Sequence, residues 1–499
     1  MERSTIDPIV PAGSSATATA EFLCTDLDGT IFIGDSLWES LLALIGTHFW
    51  YAFFIPFWLI RGKAALKHEI ARRAVFNPLT LPLNSKVVDF LRDEKRRGKK
   101  LILATGADTK IAAAIAEHLG IFDFVLASDG VTNLTGERKR EAIQQVVQGR
   151  QFDYIGNGWA DVPIWSAAST AIVVGRSPKL LRAVENAVSR TAVIEAPGNN
   201  WSSIWRCLRP HHWVKNLLVF VPLVLAHDVN DVHRLMRVSV AWVSFSLYAS
   251  GVYVLNDLFD LEADRIHPTK KRRPFACGKV PVWIGFGLAP LLLGLGLFVA
   301  AQLTAGFLGM IVIYFLVSTG YTLYAKRVPI LDVLVLTGLY LLRILAGGVA
   351  AQVPISMWLL VFSMFLLLSL AFTKRHAELV RQDKKGTATS APSKRDYRVQ
   401  DTVLVQQFGV TSGYISVLVL ALYVNGAEVT ALYQHPKVLW LTCPMLLFWV
   451  SRIWFLANRG KLSEDPVVFA ASDPFSYILS FFFFLVLFLA SGTFIDSFR

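Results

Sequence analysis

Four polar side chains crowd the end of a long apolar run: Asn256, Asp257, Asp260 and Asp264. Continued as a helix, this spacing sets the three aspartates on one stripe, with Asn256 beside Asp260. Like charges at such spacing repel, so the stripe calls for a cation. Magnesium suits it, because it takes carboxylates and leaves positions for substrate phosphates and water. Lys270, Lys271, Arg272 and Arg273 follow directly. Of these, Lys270, Arg272 and Arg273 are the candidates for phosphate contact. Residues 256–274 therefore read as a diphosphate handler where an apolar helix meets water.

A second group of carboxylates lies far upstream. The short apolar run EFLCTD ends at Asp26 and leads into Asp28-Gly29-Thr30. A buried strand ending in this way puts two carboxylates at the sheet edge where α/β folds bind ligands. A second strand, KKLILATGAD, brings Thr105 and Gly106 to its end and runs into the helix DTKIAAAIAEHLG. A hydroxyl beside a helix N-terminus is a seat for phosphate. A third, FDYIGNGWAD, ends in a loop with Asn157 and Asp161, and the helix starting at residues 136–139 supplies Lys139.

The elements that carry these residues differ in character. The chain has 499 residues, 54% hydrophobic and 17% charged, with mean hydropathy +0.47, which is too apolar for an ordinary soluble enzyme. The formal charge of +12 sits mainly in short loops between apolar segments. That pattern points to topology signals and to anionic lipid or phosphate, and away from nucleic acid. Cys24, Cys207, Cys277 and Cys443 have neither metal-ligand spacing nor the density of a disulfide framework. Residues 1–20 lack the apolar core of a signal peptide and read as a disordered tail. Residues 37–60 are apolar enough for a span. A lone span there would separate Asp26 from Thr105, so a cap helix or hairpin touching the membrane or a lipid substrate is expected instead. Arg61, Lys63, Lys67, Arg72 and Arg73 follow it and suit an anionic surface.

From about residue 205, nine apolar segments follow, centred on 218–226, 235–255, 282–301, 307–324, 331–350, 357–372, 403–424, 438–455 and 477–494. Each approaches the ~20 residues that a bilayer requires, once the first is extended back to Trp213. Basic residues concentrate after the second, fourth, sixth and eighth segments: 265–279, Lys326 with Arg327, 374–398, and Arg459 with Lys461. The positive-inside rule makes these loops cytoplasmic, with the N-terminal domain beside them and the C-terminus outside. Lys215 and Asn216 near Trp213, Asp332 after Lys326, and the intramembrane Arg343 are functional candidates by default.

Taken in order, Asp26, Asp28, Thr105, Lys139 and Asp161 resemble the motifs of the haloacid-dehalogenase phosphatase superfamily. The resemblance implies Asp26 as nucleophile, Asp28 as general acid and base, and Thr105 as the phosphoryl contact. Lys139 would balance charge, and Asp26, Asp28 and Asp161 would hold magnesium. That superfamily usually has two acids in its last motif, and here Asn157 stands at the first. Downstream, Asn256-Asp257-x-x-Asp260-x-x-x-Asp264 resembles the first aspartate motif of the UbiA prenyltransferase superfamily. RPHHWVKNLLVF, HPTKKRRP, YTLYAKRVPILDV, LLRILAGGVA and RIWFLANRGKLSEDPVVFA look closer to its decaprenyl-phosphate phosphoribosyltransferase branch. The second aspartate motif of aromatic prenyltransferases is reduced to Asp332, with Val328 and Leu336 four residues away on either side.

The expected fold is an α/β Rossmann-like haloacid-dehalogenase domain with a helical cap, joined to an all-α polytopic domain of nine transmembrane helices. The expected bounds are a tail at 1–20, the hydrolase domain at 21–193 with its cap near 37–80, a linker at 194–204, and the membrane domain at 205–499. The resemblance implies transfer of 5-phosphoribosyl from phosphoribosyl diphosphate to a polyprenyl phosphate, in a bacterial inner membrane. Asn256, Asp257, Asp260 and Asp264 would hold magnesium; Lys215, Asn216, Lys326 and Arg343 would contact phosphate. The N-terminal domain would then remove the 5′-phosphate. Two alternatives stay open: a prenyltransferase using a prenyl diphosphate, and a transporter or scaffold with a regulatory phosphatase-like domain.

Overall fold

The computed structural model describes residues 20–491 apart from 176, 196–200, 227, 268, 385–395, 427–428, 430–432, 463–465 and 471. The expected tail, the centre of the linker and the C-terminal FIDSFR run lie outside the described residues. The chain packs as two compact units, Met1–Cys207 with Tyr253–Ala289, and Leu208–Val252 with Pro290–Arg499.

The first unit is built on six parallel strands, β1 (Phe22–Thr25), β2 (Lys100–Asp108), β3 (Phe124–Ser128), β4 (Phe152–Gly156), β5 (Thr170–Val174) and β6 (Thr191–Ile194), in the order β3-β2-β1-β4-β5-β6. Both faces are covered, as parallel sheets require. Leu23, Leu101, Leu103 and Ile155 pack on one side, and Cys24, Ile102, Ala104 and Tyr154 on the other. β1 is central: Thr25 lies level with Leu103 of β2 and Ile155 of β4. The residues just past those positions therefore emerge together at one sheet edge.

Residues 37–60 do not form one continuous helix. The helix Ser36–Thr47, capped by the Asp35 carboxylate, stops at His48 (φ −144°, ψ 81°). A 3₁₀ segment Phe49–Phe54, a short helix Ile55–Ile60 and the helix Lys63–Arg73 follow. None is long enough to cross a bilayer. Together they form a cap over the strand ends.

The same unit holds the aspartate stretch. The helix Val232–Phe259 ends just before Asp260, and Leu261–Ile266 resumes after it. The expected single helix is thus interrupted at Asp260. Even so, Asp260 N–H donates to Asn256 C=O and Asp264 N–H to Asp260 C=O (2.9 and 2.8 Å), which preserves the helical relation of the carboxylates. A buried pair of Arg265 with Glu39 (2.6 Å) fastens this region to the first cap helix. The Trp38 ring lies 5.3 Å from Phe286.

Along the chain, eight helices among the described residues are long and apolar enough to cross a membrane. Nine segments were expected, and the difference lies in the first. Residues Pro210–Phe220 form a 3₁₀ helix and Val221–Leu225 a single α-turn. Pro222 lacks an amide donor, so one α-helix running through 213–225 would lose a hydrogen bond there. Gly347 lets it pack closely: a Cβ there would meet the Val219 carbonyl oxygen at 2.0 Å.

Candidate active sites

At the strand ends, Asp26 is fixed by its own backbone. Its N–H donates to Ile155 C=O, and its Oδ1 accepts from Leu27 N–H at 2.8 Å. Lys139 Nζ lies 3.0 Å from Asp26 and 3.4 Å from Asp161, almost wholly out of water. Burial opposes the Lys139 ammonium, but Asp26 and Asp161 more than offset it, and its pKa lies above the ordinary lysine value. Burial likewise pushes the Asp26 carboxyl up, against the pull of Lys139. Asp28 accepts from both the amide and the hydroxyl of Ser36 at 2.9 Å. Burial, then Asp35 and Asp26, raise Asp28 to about 7.

Asp161 braces the loop as well as the lysine. Tyr154 Oη donates to its Oδ1 at 2.8 Å, and the amides of Asn157 and Gly158 donate to its Oδ2 at 3.1 Å. Asn157 lies over the turn after Asp28. Gly29 (φ +72°) permits this, since a Cβ there would sit 2.0 Å from Asn157 Nδ2. Thr105 is fully buried, and its Oγ1 accepts from Ala107 N–H at 3.0 Å. The five motif residues thus occupy one edge.

Lys67, assigned on sequence to surface contact, belongs here instead. From the cap helix it donates to Gly106 C=O (2.5 Å) and Asn133 Oδ1 (3.0 Å). Burial lowers its pKa, against the pull of Asp28, Asp35 and Asp26. Arg73 also turns inward, over the rings of Trp58 and Tyr51 at 5.0 and 5.5 Å. Of the basic residues after the apolar stretch, Arg61, Lys63 and Arg72 remain exposed.

In the aspartate stretch, Asp257 and Asp264 are buried and converge on one atom, Arg273 Nη1, at 3.0 and 2.5 Å. Burial pushes the Asp264 carboxyl up, against the pull of Arg273. Asp260 and Asn256 are half-buried beside them, Lys270 is half-buried, and Arg272 is exposed. Arg273, expected to meet a substrate phosphate, is thus paired with the aspartates. Among the described residues no three His, Cys, Asp or Glu side chains form a ready metal cluster. The donor chemistry still fits a divalent cation, because two buried carboxylates already share one cationic partner. At the strand ends, Asp26, Asp28 and Asp161 face Lys139 and Lys67, and the carboxylate excess fits a cation there too.

In the second unit the 3₁₀ segment buries Lys215 and Asn216. Asn216 donates to Ser246 Oγ at 3.1 Å and accepts from Arg343 Nε at 2.8 Å. Arg343 also donates to Tyr314 Oη and Leu339 C=O, and its guanidinium lies 4.9–5.6 Å from the rings of Phe245, Tyr314 and Tyr340. Protein groups thus hold this buried arginine, the expected phosphate contact, in position. Lys215 Nζ lies 5.7 Å from the Tyr340 ring. Lys326 is half-buried in the Ala325–Arg327 turn. Asp332 is fully buried between Arg375 Nε (2.5 Å) and Tyr397 Oη (2.7 Å). Arg375 and Tyr397 were not foreseen, because they lie 43 and 65 residues beyond Asp332.

A capped parallel-sheet domain with strand-end carboxylates, joined to a bundle of membrane-length helices with paired aspartates, defines a membrane transferase carrying a hydrolase domain. The UbiA prenyltransferase family matches residues 217–486, and haloacid dehalogenase-like hydrolase matches residues 22–168. The chain belongs to the UbiA prenyltransferase family and is an integral membrane protein. Over 473 residues it is 35% identical to the uncharacterized protein y4nM of Sinorhizobium fredii, covering 92% of this chain and 88% of that one. It is 34% identical over 275 residues to the nodulation protein NoeC of Azorhizobium caulinodans, covering 54% and 87%. It is 40% identical over 290 residues to the decaprenyl-phosphate phosphoribosyltransferase of Mycolicibacterium smegmatis, covering 57% and 90%.

Proposed function

We propose that the chain transfers 5-phosphoribosyl from phosphoribosyl diphosphate to a polyprenyl phosphate and then removes the 5′-phosphate from the product. The 40% identity to a decaprenyl-phosphate phosphoribosyltransferase across 90% of that relative carries the transfer reading. Two further features support it. Asp332, the remnant of a second aspartate motif, is neutralised by Arg375, which favours one metal cluster over two. An apolar cavity of about 700 Å³, lined by residues such as Leu218, Val224, Phe362, Leu420 and Phe484, offers room for an isoprenoid chain.

In this reading Asn256, Asp257, Asp260 and Asp264 would hold magnesium, and Arg273 would balance the carboxylate charge of Asp257 and Asp264. Magnesium, when bound, offsets charge building on the departing diphosphate. Lys270 and Arg272 would contact the donor's phosphates. Arg343 and Asn216 position Lys215 and the pocket wall. The bond from ribose C1 to the diphosphate oxygen breaks, and an oxygen of the lipid phosphate bonds to C1. In the hydrolase domain Asp26 attacks the 5′-phosphorus and Asp28 gives its proton to the departing ribose oxygen. Asp28 then takes a proton from the water that releases phosphate from Asp26. Thr105 and Lys139 hold the phosphoryl oxygens. Both sites lie on the cytoplasmic side of a bacterial inner membrane, following the basic loops.

Radiolabelled phosphoribosyl diphosphate and polyprenyl phosphate, given to the purified chain with magnesium, test this. Wild type yields polyprenyl-phosphoryl ribose, Asp26→Asn stops at the 5′-phosphorylated lipid, and Asp257→Asn forms neither. An unchanged product from Asp26→Asn defeats the coupled reading. The second reading, prenyl transfer to an aromatic or other acceptor, rests on the family match. Turnover of a prenyl diphosphate with an aromatic acid, and none of phosphoribosyl diphosphate, would establish it.

A further inference from the structure

The cap carries an apolar surface that neither reaction uses. Within Phe49–Ile60, Trp50 is 62% exposed, Phe53 78% and Ile60 85%, with Phe49 and Phe57 also open. The segment is not loose. Trp58 is buried with Leu41, Leu44, Leu66 and Ile70, and Arg73 stacks over Trp58 and Tyr51 from behind. Phe286 packs against this same cluster. Phe286 stands in the second turn of Val282–Ala301, a helix long and apolar enough to cross a membrane. The cap core is therefore built onto a residue that lies where a span meets water. The Glu39–Arg265 pair ties the cap to the same unit a second time.

We infer that residues 49–60 are a membrane-docking surface, which seats the cap in the interfacial layer of the bilayer that Val282–Ala301 enters. The composition matches that layer: tryptophan, tyrosine and phenylalanine favour the headgroup level. Exposed Arg61 and Lys63 follow immediately and complement anionic headgroups. Tethering by Phe286 and Arg265 keeps the patch beside the bilayer at high effective concentration, so a modest surface suffices. This inference does not depend on which donor or acceptor the transferase uses.

Spin labels on the full chain in phosphatidylglycerol/phosphatidylethanolamine nanodiscs test it. Labels replace Phe53, Phe57 or Ile60 by way of cysteine, in a Cys277→Ser background that removes the one native thiol not buried. Val131 serves as the aqueous reference and Phe298 as the bilayer reference. The expected result is an oxygen-to-nickel accessibility ratio at 53, 57 and 60 that leaves the Val131 value and moves toward that of Phe298. Values equal to that at Val131 overturn the inference. So does dipolar broadening between labels, which would mean that a second copy of the chain covers the patch. An independent reading needs no labelled side chain: brominated lipids should quench a fluorescence component that Trp50→Phe removes. Equal quenchable fractions in wild type and Trp50→Phe also overturn it.

Discussion

In the proposed phosphatase reaction Asp28 would serve as general acid, and its neighbours tune it for that role. Burial raises its carboxyl first, Asp35 and Asp26 add to it, and the Ser36 amide and hydroxyl pull the other way. A pKa of about 7 leaves Asp28 protonated, and able to donate, on the acid side of neutrality. Phosphatase turnover should therefore fall as pH rises, with the limb displaced below 7 where magnesium draws charge from Asp28. Asp35→Asn keeps an acceptable N-cap for the helix Ser36–Thr47 but removes a negative charge. Asp28 then loses its proton more readily, and the alkaline limb of the rate profile should move to lower pH. A limb that stays in place at fixed magnesium would show that Asp35 does not set this group. The residues of this edge were legible because Asp26 and Asn157 directly follow strand-like runs, with Thr105 three residues before the end of β2, and a parallel sheet brings such ends together. Lys67 was misplaced for the opposite reason. It arrives from a cap whose path is set by packing of Trp58, Leu66 and Ile70, and a charge after an apolar run looks the same whether it points inward or outward.

At the scale of elements, the apolar segments were readable from length and hydropathy, and eight of the nine stand as membrane-length helices among the described residues. The first departs from expectation because average hydropathy cannot register what Pro222 does to backbone hydrogen bonding. Its 3₁₀ form has a use: it brings Asn216 to Arg343 and the Val219 carbonyl against Gly347. Glycine to alanine inside a helix ordinarily stabilises by up to about 1 kcal/mol. At Gly347 the new methyl group would strike backbone, and overpacking of that kind costs about 1–3 kcal/mol. Gly347→Ala should therefore lower the midpoint of thermal unfolding in detergent. It should also weaken transfer, because Asn216 lies one turn from the clash. A raised midpoint with full transfer would refute the close approach. Ile330, a β-branched residue at φ +67°, marks a second constrained turn. Its N–H donates to Tyr397 Oη, which in turn donates to Asp332. Strain of this sort persists only where surrounding contacts hold it, and no sequence pattern announces it.

For the whole molecule, the proposed order of reactions makes a demand that neither site makes alone. The transferase product would be a polyprenyl lipid, and a long isoprenoid chain does not leave its bilayer on the timescale of turnover, since each buried methylene contributes about 0.8 kcal/mol to anchoring. The hydrolase must therefore meet its substrate in the membrane where it was made. Asp26→Asn and Asp257→Asn each disable one site and leave the other intact. Reconstituted together in the same vesicles, the two variants should restore polyprenyl-phosphoryl ribose. In separate vesicles that are then mixed, they should yield only the 5′-phosphorylated lipid. Restoration in mixed vesicles would mean that the hydrolase acts on a soluble sugar phosphate and that the two domains share a chain without sharing a substrate. Failure in both arrangements, with each remaining site active on its own assay, would mean that the intermediate passes only within one chain.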